Sequence, residues 1–81
     1  MHQTIQGGTV LIGKITRNGK KQRLLVTIEE NKGTKVIDVR AYNVINDGEL
    51  IPTQEGIFLP LETIETLIGL LREAQKRLQA A

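Results

Sequence analysis

Asp38 and Arg40, in the stretch KVIDVRAY, place an acid and a guanidinium two residues apart. On a β-strand that spacing puts both on one face, where they can serve a reaction, hold a ligand, or pair with each other on a solvated surface at little net energy. A reaction needs more than this pair. Nucleophilic catalysis requires an activated Ser, Cys or Lys beside a base, and the chain has no Ser, no Cys and a single histidine, His2. Glu29 and Glu30 are neighbours, so on a strand they point to opposite faces and cannot flank one substrate as acid and base. The glycines form neither a dinucleotide fingerprint nor a phosphate-binding loop. The residue types argue against an enzyme, and they point to no cofactor and no ordinary zinc site.

A charged surface remains. Residues 1 to 40 carry eight Lys or Arg against three acids, and residues 41 to 81 carry three against six, so a net charge of +2 is split into halves of +5 and −3. Such segregation fits an anionic partner such as nucleic acid, and it also fits an ordinary solvated face. Lys21, Arg23, Arg40 and Tyr42 alternate onto one side of their strands, while Lys20, Lys32 and Lys35 fall at or near the turns that border it. An open, basic, antiparallel sheet can track a sugar-phosphate backbone, and Tyr42 offers a ring for base stacking.

The elements that would position these groups are legible. TVLIGKITR is β-rich and ends at Asn18-Gly19, a pair that tolerates the positive φ of a tight hairpin. In KQRLLVTIEE, Leu24, Val26 and Ile28 share one face, read as the core face. Asn31-Lys32-Gly33 is a turn, and in the next strand Ile37, Val39 and Ala41 continue the apolar face opposite Asp38, Arg40 and Tyr42. After a turn at Asn46-Asp47-Gly48, ELIPTQEGIFL reads as a strand interrupted by a loop from Pro52 to Gly56. From Leu61 to Leu78 the period changes: Leu61, Ile64, Leu67, Ile68, Leu71, Ala74 and Leu78 form the stripe of an amphipathic helix, with Pro60 at its start. The fold class expected is α+β, several strands in an antiparallel meander with the C-terminal amphipathic helix over one sheet face.

With 81 residues the chain is read as one domain, 1–81, with no apolar run long enough to cross a bilayer. So small a core commonly needs disulfides, a metal or a partner chain. Cys is absent and His2 stands alone, so a homodimer is expected, with Leu67, Ile68 and Leu71 beside the small Gly69 as its helical contact. MHQTIQGG lacks the basic start and apolar core of a signal peptide. The expected location is the cytoplasm of a prokaryote or a phage-infected cell, nucleoid-associated if DNA is bound.

NKGTKVIDVRAY, DGELIPTQEGIFLPLE and the apolar helix, in that order, resemble the single-stranded-DNA-binding domain of the transcriptional coactivator called positive cofactor four, with its bacterial and phage relatives. The family shows a Lys-Gly turn, a strand Asp-(Ile/Val)-Arg-x-Tyr, a Gly-Glu-(Leu/Met)-x-Pro turn and Gly-Ile-x-Leu before the helix. The resemblance spans about residues 21 to 75. It implies a homodimer in which each chain gives a curved four-stranded antiparallel β-sheet and a C-terminal helix, joined through helices and strand edges, whose sheets form channels for melted single strands, bound largely without regard to sequence. Lys32 then matches the basic residue of the Lys-Gly turn and Arg40 the strand arginine that faces DNA; Lys21 and Arg23 lie in the family's basic second strand. With Arg17, Lys20, Lys35 and Tyr42 these are the candidate DNA-binding residues. Expected partners are single-stranded DNA, a second copy of the chain, and transcription or replication proteins.

Two positions where the family often carries aromatics are Asn31 and Asn43 here, a nearby basic residue is replaced by Glu29, and the usually basic loop after the proline reads Thr53-Gln54-Glu55. Each lost stacking contact removes about 1–3 kcal/mol per base. Binding weaker and more salt-sensitive than the family's is therefore expected, unless Lys14, Arg17 and Lys20 of the first hairpin compensate. A dimeric protein-interaction or regulatory module with weak DNA or RNA binding is the alternative.

Overall fold

A computed structural model describes residues 9–19 and 21–80. Four strands, β1 (Val10–Arg17), β2 (Gln22–Asn31), β3 (Thr34–Ile45) and β4 (Glu49–Pro60), precede a helix, α1 (Leu61–Ala80). The sheet is an antiparallel meander in the order β1-β2-β3-β4. Its turns use the residues that their geometry demands. Asn18 and Gly19 have φ of 52° and 58°, and Lys32 and Gly33 of 55° and 80°, the paired positive values of the tight hairpin turn. The third turn places Asn46 at φ 35° and Gly48 at φ 90°. His2 and Lys20 lie outside the described residues.

Alternation sets two faces. Leu25 pairs with Arg40, Thr27 with Asp38 and Arg23 with Tyr42 across β2 and β3, so these side chains share one face. Sequence periodicity marked the opposite face, with Leu24, Val26, Ile28, Ile37, Val39 and Ala41, as the core. The structure reverses the depth of the two faces. Among the described residues, Leu25, Thr27, Asp38 and Tyr42 are the buried side chains of the face expected to lie open, whereas on the other face only Ala41 is fully buried. The cause is curvature. An antiparallel sheet that curls closes its concave side on itself, and the residues along the floor are hidden without any second layer.

Two irregularities sharpen the curl. One lies in β1 between Leu11 and Gly13. The other is in β4, where Arg40 pairs with Gly56 but Tyr42 pairs with Pro52, so Thr53, Gln54 and Glu55 stand opposite Ala41 alone. The stretch expected to be an interrupting loop is thus a bulge inside a continuous strand. Thr53 Oγ1 donates to the Ala41 carbonyl at 2.8 Å, satisfying an acceptor that the bulge takes out of the ladder. In a flat sheet β1 and β4 would lie about 14 Å apart, yet Arg17 Nη2 reaches Glu55 Oε2 at 2.7 Å.

Helix α1 does not cover the sheet as the sequence led one to expect. It packs mainly on β3 and β4, and none of its residues is buried. Leu61, Ile68, Leu70, Leu71 and Leu78 are exposed. The reason is geometric: the sheet curls toward its own polar face, so its deepest packing is made by strand residues. Gly69 has open space around its α-carbon.

Candidate functional site

The concave floor is built around Arg40. Its Nε donates to Asp38 Oδ2 and its Nη2 to Asp38 Oδ1, each at 3.1 Å, and its Nη1 donates to the carbonyl of Thr53 at 3.0 Å. The bulge in β4 is what brings that carbonyl within reach. Arg40 has 16% of its side chain exposed and Asp38 only 2%. The hydrogen bond to Asp38 pushes the guanidinium above the ordinary arginine value. Three of its five N–H groups are engaged, so two remain for a ligand. Because Asp38 neutralises it, Arg40 contributes directed donors at the floor and little net charge.

The structure sorts the sequence-derived candidates into distinct groups. Arg23, Arg40 and Tyr42 share the concave face, and Lys21, exposed in the β1–β2 turn, lies at its border. Lys14, opposite Leu25 on β1, joins the same face and is exposed. Arg23 Nη1 also donates to the Gln22 carbonyl at 3.1 Å. Lys35 does not belong to this set: it pairs with Glu30 and alternates onto the face opposite Arg40. Arg17 ends β1 opposite Gln22, and its guanidinium is taken up by Glu55, which neutralises it. Lys32 is exposed in the β2–β3 turn, at the far end of the sheet from Lys21. Leu67, Ile68 and Leu71 lie along α1, Leu67 half-buried and the other two exposed.

Tyr42 requires a correction. It was expected to offer its ring for stacking on an open face, but only 7% of it is exposed, so its ring is part of the floor. Burial, reinforced by the negative charges of Asp38 and Glu29, pushes its phenol above the ordinary value. Sequence reasoning passed over Phe58. Phe58 pairs with Asp38 and so shares the concave face; the Arg40 Cζ lies 5.2 Å from its ring centroid. Its signal was available in EGIFLP, where a phenylalanine sits between two aliphatics at a position alternation assigns to the polar side.

A sequence model of the family described as Transcriptional Coactivator p15 (PC4) matches residues 18–70. No curated protein matches the chain significantly. Among solved structures the chain is similar to a PC4 homolog from Burkholderia pseudomallei in two crystal forms. The orthorhombic form has a TM-score of 0.78 and 25% identity over 89% of this chain and 96% of that one. For the tetragonal form the values are 0.76 and 26%, over 84% and 98%.

Proposed function

This chain belongs to the PC4 family, and we propose that it is a non-enzymatic, sequence-tolerant single-stranded-DNA-binding protein of the coactivator type, acting as a homodimer. The observation that supports this reading best is the fixed Arg40 guanidinium at the floor of a curled sheet, flanked on the same face by Lys14 and Arg23 and bordered by Lys21 of the β1–β2 turn. Long-range attraction comes from the exposed lysines, which draw a phosphate backbone toward the concavity. The two unused N–H groups of Arg40 then donate to phosphate oxygens at a fixed position, with no side-chain ordering left to cost affinity. A single strand bends into such a trough more readily than a stiff duplex. The contribution would be to hold melted strands during transcription and, by the same chemistry, during replication, recombination or repair.

The exposed helix supports dimerisation. Burying one leucine is worth about 1.5–3 kcal/mol, and α1 leaves several apolar side chains in water. A second copy of α1 seated along Leu67, Ile68 and Leu71 would recover that energy and set two concave faces side by side.

Fluorescence anisotropy with labelled oligothymidine, competed by duplex of equal length and by RNA, tests the reading. Binding at low salt is expected, with a log–log salt slope of about −0.7 per neutralised phosphate. Lys14→Ala and Lys21→Ala should each flatten that slope. Equal affinity for duplex, or no binding at low salt, overturns it, and capture by a protein partner without DNA binding would favour a protein-interaction role.

A further inference from the structure

We infer that Phe58 is the base-stacking platform of this protein, its ring backed by Arg40 and open to a single nucleobase. The inference rests on the single-strand-binding reading above and adds the residue and the contact. The chain contains one Phe, one Tyr and no Trp. Tyr42 is buried in the floor, whereas Phe58 is 57% exposed, which makes it the one exposed aromatic ring among the described residues. It shares the concave face with Asp38, Arg40 and Tyr42. The Arg40 guanidinium lies over its ring at 5.2 Å from the centroid, and Asp38 and Thr53 hold that guanidinium in place. A ring so backed presents a fixed surface, and stacking on it costs little further ordering.

The recess beside the ring identifies the occupant. It has a volume of about 350 Å³ and is bounded by Glu29, Glu30, Thr34, Val36 and Phe58. That is within the size of small-molecule sites, about 300–1,000 Å³. Glu29, on the same face as Phe58, repels phosphate, so the backbone stays outside and the uncharged base enters. A carboxylate also accepts hydrogen bonds from the N–H edge of a base. A protein chain seated on the same ring would have to bury the Glu29 carboxylate, at a large desolvation cost.

The test compares oligothymidine with an abasic sugar-phosphate strand of equal length, bound to the full chain and to Phe58→Ala and Phe58→Trp. The wild-type chain should favour the base-bearing strand about ten- to hundredfold. Phe58→Ala should lose that preference while keeping its affinity for the abasic strand and its salt slope, and Phe58→Trp should retain it. Circular dichroism and sedimentation should show both variants folded and in the wild-type oligomeric state. An unchanged preference in Phe58→Ala overturns the assignment and leaves the single-strand reading standing. So does a shift of Phe58→Ala to monomer with equal loss for both strands, which would make the ring a subunit contact. A wild-type chain that binds neither strand at low salt overturns both.

Discussion

Arg40 grips Asp38 through two hydrogen bonds of 3.1 Å, one to each carboxylate oxygen, with the acid almost wholly buried. The pair sits on one strand, two residues apart, and its geometry matches the guanidinium fork to the carboxylate. This makes Asp38 the residue that positions Arg40. It also makes Arg40 structural, because removing it leaves a buried charge without a partner.

Arg40→Ala is therefore expected to destabilise the fold by about 3–5 kcal/mol, measured as a fall in the urea midpoint. The double variant Asp38→Ala/Arg40→Ala should lose less than the sum of the two single changes, since the orphaned charge is gone. Arg40→Lys should recover only part of the stability, because an ammonium cannot reproduce the fork. Additive losses would show that the pair contributes no coupling.

Tyr42 gives a pH signature that can be read without interference, as it is the only tyrosine. Its phenol ionises near 10 in the unfolded chain and higher in the folded one, because burial disfavours the phenolate. Between the two values the native state holds a proton that the unfolded state has lost. The stability this provides is complete below about pH 10 and is lost as pH rises through the folded value. Tyrosinate absorbance should appear at higher pH in the native protein than in urea, and coincident titrations would contradict the burial.

Gly56 stands directly opposite Arg40 in the β3–β4 ladder, at the edge of the bulge. A β-carbon built there would lie 2.8 Å from the Arg40 Cβ and 2.8 Å from the Val39 carbonyl oxygen. Neither neighbour is the free end of a flexible chain, so β4 would have to move. Gly56→Ala should cost about 1–3 kcal/mol and should also displace the Thr53 carbonyl from Arg40. A thermal unfolding curve matching the wild type would show that the bulge absorbs the change.

Leu71→Glu and Ile68→Glu place a charge on the exposed apolar stripe of α1. If that stripe joins two copies, either change should convert dimer to monomer in sedimentation, and the melting temperature should lose its dependence on protein concentration. Glu65→Lys, at another position of the same helix, serves as the charge-reversal control. A wild-type chain that sediments as a monomer would refute the subunit contact.

Much of this molecule is written locally. The turn residues Asn18-Gly19, Lys32-Gly33 and Asn46-Asp47-Gly48 take up the positive φ their types allow, and the change from a two-residue to a three-to-four-residue period marks where strand gives way to helix. Alternation likewise placed Asp38, Arg40 and Tyr42 on one face. These are properties of neighbours in sequence, fixed by backbone sterics and side-chain spacing. Alternation tells which residues share a face but not toward which face the sheet will curl. That choice depends on the bulge at Thr53–Glu55, on Gly56 letting β4 approach β3, and on a contact between edge strands 38 residues apart. It buried Tyr42, left the helix uncovered and brought Phe58 against Arg40, three outcomes that no local pattern contains because each depends on the three-dimensional closure of the sheet.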